Sequence, residues 1–151
     1  MNSSQTCTPP GMLGWRELHR PRYRRCLDNL ARARLADPLR SRLAGHSLCI
    51  TFVTLGELTK WTVLRDWGPR RLASFESWRH QVVLLPFDEA VAVKWGEIQA
   101  NAQLRGRPRP VNDSWIAACC LAHDLPLATF NTKDFADFAE HDGLALIGAK
   151  D

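Results

Sequence analysis

The sequence has no apolar stretch long enough to cross a membrane. Its longest charge-free run through the apolar part, Leu43 to Gly56, is about fourteen residues and includes Gly45, His46 and Ser47. A membrane helix needs roughly 20 apolar residues. The five cysteines are odd in number and form no C-x-x-C pair. That excludes a readable disulfide framework or zinc site and favours a reducing compartment. The opening MNSSQTCTPPGMLGW has neither a basic n-region nor an apolar h-region, so no secretory signal is readable and the cytoplasm is expected. Proline and glycine, at nine each in 151 residues, exclude collagen-like and low-complexity chains. The glycine-rich phosphate and dinucleotide loops, the G-x-S-x-G elbow and H-E-x-x-H are all missing, which removes support for nucleotide kinases, dinucleotide enzymes, α/β-hydrolases and zinc proteases. There is no internal repeat.

What remains is a chain the size of one domain, 45% hydrophobic and 24% charged, with a formal charge of +4. The charge is uneven. Residues 1–44 hold nine Arg against Glu17, Asp28 and Asp37, a balance of +6; residues 45–151 hold eleven Lys or Arg against thirteen Asp or Glu, a balance of −2. The body is mildly acidic, and the basicity belongs to an Arg-rich amino-terminal third.

From Leu48 short apolar runs alternate with helical patterns. LCITFVT (Leu48 to Thr54) is rich in β-branched and aromatic residues and reads as a buried strand. Thr54 with Glu57 forms a capping-box spacing that starts a helix ending before Gly68-Pro69, and a second helix follows from Pro69 or Arg70. VVLLPF (Val82 to Phe87) reads as a strand. Asp88 reads as the N-cap of a long helix through Arg105, stopped by Gly106. A helix from about Asn112 to His123, a strand at LPLATF (Leu125 to Phe130) and a short strand at LALIG after Asp142-Gly143 complete the pattern. Strands separated by helices imply a parallel sheet covered on both faces, a three-layer α/β class.

Ligands gather at the carboxyl ends of such strands. Three acidic residues fall there: Glu57 after the first run, Asp113 at the start of the helix feeding the LPLATF strand, and Asp134 after it, with Asn131 between. Each singly also suits a cap or turn. Together they would form a carboxylate cluster, the usual hard-oxygen cage for Mg²⁺ or Mn²⁺. Arg105, Arg107 and Arg109, in the loop before Asp113, could contact RNA phosphates or be a solvated basic loop. Trp61, Trp78 and Trp95 lie on apolar stripes and read as core.

ITFVTLGEL, LLPFDEAVAVKWGEIQA, RGRPRPVNDSWIAACCLAHDLPLAT and FNTKDF followed by LALI resemble PIN-domain proteins, specifically VapC-type toxins of bacterial toxin–antitoxin pairs. The resemblance covers about two thirds of the chain in the family's order. It implies a PIN-like fold and a Mg²⁺-dependent endoribonuclease inhibited by a cognate antitoxin, with homodimers common. By position, Asp113 resembles the strongest metal ligand, Glu57 the acidic residue after the second strand, and Asn131 with Asp134 the fourth acidic site. The family's first strand ends in an Asp; here Cys26-Leu27-Asp28-Asn29 is the only echo, making Asp28 the candidate. No apolar strand precedes it. Residues 1–32 therefore read as an atypical Arg-rich segment, partly disordered, before a PIN-like domain over 33–151, with the first strand missing or degraded, as a frame change or misassigned start would leave it. The alternative function is a catalytically impaired module that only binds its antitoxin.

Overall fold

The computed structural model describes residues 25–27, 43 and 46–148. Among the described residues, five strands form one parallel sheet: β1 (Arg25–Leu27), β2 (Leu48–Thr51), β3 (Val83–Leu85), β4 (Leu127–Ala128) and β5 (Leu146–Ile147), in the order β3-β2-β1-β4-β5. Among the described residues, five helices accompany them: α1 (Phe52–Leu64), α2 (Pro69–Arg79), α3 (Glu89–Leu104), α4 (Val111–Ala122) and α5 (Thr132–Asp142).

The expectation of a missing or degraded first strand is corrected. β1 occupies the centre of the sheet, with Cys26 in register with Cys49 of β2 on one side and Leu127 of β4 on the other. It lies within the Arg-rich segment, which therefore contributes to the sheet. A central strand is held by backbone ladders on both edges, so three residues suffice. Only Cys26 and Leu27 are apolar, too few to register as an apolar run. The chain steps outward from β1 to β2 and β3, then returns to β4 on the other side of β1. The crevice beyond the carboxyl ends of β1 and β4 is thus the topological switch point.

Alternate strand residues face opposite layers, and the core divides accordingly. Cys49, Leu85 and Leu127 pack with Val91 and Ile98 of α3, Ile116 to Cys120 of α4, and Phe135 and Phe138 of α5. Their neighbours Ile50 and Ala128 face the other way, toward Leu43, Leu55 of α1 and Trp78 of α2. The three-layer expectation is met. α4 is buried from Ile116 through Cys120, which explains its nearly unbroken apolar sequence.

The helix boundaries follow local chemistry. Asp88 caps α3 as expected, its carboxylate accepting from Val91 N at 3.0 Å, and Gly106 at φ +71° ends the turn beyond it. α2 begins at Pro69, where a missing N–H costs nothing. The start of α1 differs from expectation. Its cap is Thr51, whose Oγ1 accepts from Thr54 N at 3.1 Å, so the helix begins at Phe52 and β2 stops three residues short of the apolar run. Thr51 and Thr54 share the spacing of a Ser/Thr cap with its partner, and burial of both settles the register one turn earlier. α5 was not foreseen: Asn131-Thr132-Lys133-Asp134 reads locally as a turn. The helix exists because Phe135 and Phe138 are buried, and it closes on Gly143 at φ +79°, a left-handed stop that favours glycine.

Candidate active site

Because α1 starts at Phe52, Glu57 lies well inside the helix and cannot be the capping-box partner of Thr54. Its side chain instead meets α4. Asn112 Nδ2 donates to Glu57 Oε1 at 2.6 Å, although the two residues are far apart in sequence. Asp113 is in the first turn of α4 and Asp134 in the first turn of α5, where carboxylates are favoured by the helix dipole. Glu57, Asp113, Asn131 and Asp134 together line one cavity of about 90 Å³, with Trp61 and Asn112. It has room for a few waters, at about 30 Å³ each.

Asp113 is the half-buried member; Glu57 and Asp134 are exposed. Burial pushes the Asp113 carboxyl above its usual range; the negative charges of Asp134 and Glu57 add to this, and Arg109 opposes it. An acid surrounded by two others gains from a counter-cation.

A buried clamp fixes the loop that presents Asp113. Gln99 Nε2, from α3, donates to Ser114 Oγ at 2.7 Å and to the Arg109 carbonyl at 3.2 Å, while Ser114 Oγ donates to the Pro110 carbonyl at 2.8 Å. Arg109 spans to α5, donating to the Asp134 carbonyl at 2.9 Å. Its guanidinium lies 5.7 Å from the centre of the Phe138 ring.

The three loop arginines separate. Arg105 is held inside the protein by Asp137, with Nη2 to Oδ2 at 2.8 Å, and lies 3.9 Å from Asp142. Arg109 sits beside the carboxylates, and Arg107 is exposed. Trp95 stacks on Trp115 with centroids 4.5 Å apart, and Trp78 is half-buried. Trp61 departs from its core expectation, being 36% exposed at the cavity. Asp28 lies outside the described residues. Sequence reasoning missed Asn112, Trp61, Gln99 and Ser114. The one available signal was that Trp61 stands four residues after Glu57, on the same helix face.

Among the described residues, no three His, Cys, Asp or Glu side chains are grouped so as to hold a metal ion by themselves. The donor chemistry is nonetheless selective. The cavity offers carboxylate and amide oxygens and no thiolate or imidazole, which suits Mg²⁺ or Mn²⁺ and not zinc. Mg²⁺ keeps several waters and takes only one or two carboxylates directly, so an open acidic cavity fits it.

A parallel sheet in this strand order, with acidic residues brought to its switch point, defines a PIN domain. The PIN domain family matches residues 20–141, and the chain belongs to it. Within the family, the chain is 36% identical over 99 residues to Ribonuclease VapC4 of Mycobacterium tuberculosis, covering 63% of this chain and 74% of that protein. It is 32% identical over 96 residues to the tRNA(fMet)-specific endonuclease VapC of Shigella flexneri, covering 64% and 73%. Among solved structures it is similar to VapBC-5 from M. tuberculosis, described as a member of the VapBC family of toxin–antitoxin systems. The TM-score there is 0.64 at 29% identity, over 82% of this chain and 96% of that one. No described helix is long and apolar enough to cross a membrane.

Proposed function

We propose that this protein is a Mg²⁺-dependent endoribonuclease, the toxin of a VapBC-type pair, acting in the cytoplasm on RNA phosphodiesters and held inactive by a cognate antitoxin. Mn²⁺ is the alternative metal, and a homodimer is the expected assembly. The observation that carries the proposal is the convergence of Glu57, Asp113 and Asp134, from three separate helices, on one small cavity. The names of its relatives as VapC ribonucleases support the reading.

When bound, the metal would supply Lewis acidity and a water of lowered pKa. The chain's residues have distinct tasks. Asp113, the least exposed of the three carboxylates and the one that burial and its acidic neighbours push up, would hold the cation. Glu57, fixed by Asn112, and Asp134, anchored through Arg109, orient waters and the incoming phosphodiester. Asn131 adds an amide oxygen at the rim, and Asp28 is the proposed further ligand. Arg109 places positive charge beside Asp113, where a phosphate must approach carboxylates that would otherwise repel it.

The test is RNA cleavage by the purified chain with Mg²⁺, with chelator, and with Asp113→Ala. The expected result is metal-dependent cleavage that falls by about two orders of magnitude or more in the variant, corresponding to several kcal/mol of lost charge stabilisation. Cleavage unchanged by the substitution would refute the assignment. No cleavage by the parent would favour a module that only binds its antitoxin.

A further inference from the structure

A helix begins with backbone N–H groups that lack partners, and an acid at its third position commonly folds back to accept from the N–H of the N-cap residue. Asp113 and Asp134 both hold that position, Asp113 after the N-cap Pro110 of α4 and Asp134 after the N-cap Asn131 of α5. Neither acid has that N–H to accept from. Pro110 carries none. Asn131 N donates instead to Thr129 Oγ1 at 3.0 Å, a wholly buried hydroxyl just past β4. The N-cap side chains make no cap either, so both helix starts forgo the bond that Thr51 gives α1 and Asp88 gives α3. In α4 the loss is offset from behind. Gln99 holds Ser114 Oγ and the Arg109 carbonyl, and Ser114 Oγ holds the Pro110 carbonyl, which fastens the backbone without engaging the Asp113 carboxylate. Glu57, well inside α1, faces no such competitor.

The two helix-start acids that line the cavity are thus the two whose capping partner is withdrawn, by different chemistry in each helix. A carboxylate closed on its own helix must give up that bond before it can bind a cation, so the cation's affinity falls by the strength of the bond. We infer that Pro110 and Thr129 are positioning residues of the cavity: each removes a helix-start N–H that would compete for a carboxylate, and so keeps Asp113 and Asp134 turned to a divalent cation. The inference rests on the metal-dependent reading of the site and adds to it two residues that act only through others. Stability is given up at two helix starts, and two carboxylates are reserved in exchange.

The test is Mn²⁺ binding to the purified chain, read from the free-ion electron paramagnetic resonance signal, beside thermal melting without metal. Pro110→Ala restores an N–H at the start of α4, and Mn²⁺ should then bind about tenfold more weakly, the scale of one capping bond. The metal-free Tm should stay close to the parent's, because the new capping bond offsets the added freedom of the unfolded chain. Thr129→Val releases the Asn131 N–H to Asp134 and should weaken binding by a similar factor. Thr129→Ser keeps the accepting hydroxyl and should bind as the parent does. A merely structural role moves the two readouts together, so an affinity that falls only in step with Tm, or falls equally in Thr129→Ser, overturns the inference. Pro110 is exposed, and its variant decides the question by itself if Thr129→Val does not fold. Unchanged affinity in folded Pro110→Ala, with a parent that binds Mn²⁺, overturns the positioning role and leaves the ribonuclease reading standing. A parent that neither binds Mn²⁺ nor cuts RNA overturns both.

Discussion

Replacing Arg105 by Met tests whether the α3–α5 link is a structural ion pair or a solvated charge. Arg105 is 26% exposed and its partner Asp137 only 8%, joined at 2.8 Å; Asp142, 6% exposed, stands 3.9 Å away. Methionine keeps the stem and removes the charge, leaving two nearly buried carboxylates together. Removing one partner of a buried pair costs about 3–5 kcal/mol. Partial exposure of Arg105 places the expectation at the lower end, ~3 kcal/mol. For a chain of this size that is a fall in Tm of roughly 6–12 °C. The pH dependence supplies a second readout. Burial by itself raises the Asp137 carboxyl, but the hydrogen bond and charge of Arg105, with the charges of Arg109 and His141, outweigh it and hold the group below its ordinary value. Its contribution is therefore complete above the unfolded value of about 3.9 and is lost as pH falls through the lower folded one. Asp142 differs: burial and the Asp137 charge raise it despite Arg105. Without Arg105 both carboxyls lie high, so the variant gains stability on acidification as they take up protons. The deficit measured by thermal or urea unfolding should be largest near pH 7 and narrow toward pH 4. A deficit below about 1 kcal/mol at pH 7, or one that stays constant as the pH falls, would show Arg105 to be a screened surface charge.

Two further outcomes follow from the site and the cap. Asn112→Ala removes the hydrogen bond that orients Glu57 between two exposed residues, so RNA cleavage should drop about tenfold, as for loss of a ligand's supporting partner, with Tm unchanged; an unaltered kcat would refute the positioning role. Thr51→Ala removes the cap of α1 and the 3.0 Å contact between the Thr51 and Thr54 hydroxyls, and should cost about 1–2 kcal/mol in urea unfolding. No measurable change would place the helix start at Thr54 after all.

Much of the architecture was legible without coordinates. The apolar runs at Leu48, Val82 and Leu125, the Asp88 cap, the Pro69 start and the Gly106 stop act within a few residues of themselves, so local sequence determines them. The VapC-like motifs likewise marked Glu57, Asp113, Asn131 and Asp134 as candidates. Two local ambiguities could not be resolved that way. Thr51 and Thr54 are equally competent caps, and only burial against the sheet selects Thr51. α5 looks like a turn until Phe135 and Phe138 have a core to enter.

Tertiary structure decided the rest, because it depends on which segments become neighbours. β1 is invisible as a pattern, since three residues with two apolar members carry no periodicity; the ladders of β2 and β4 make it the central strand. Arg105 and Arg109 lie four residues apart in one loop, yet one is drawn to Asp137 and the other to the Asp134 carbonyl, so their roles diverge through α5. Composition alone determined that the body is acidic and the amino-terminal third basic. Only the fold placed that acidity at the switch point of the sheet, and set an exposed tryptophan beside it.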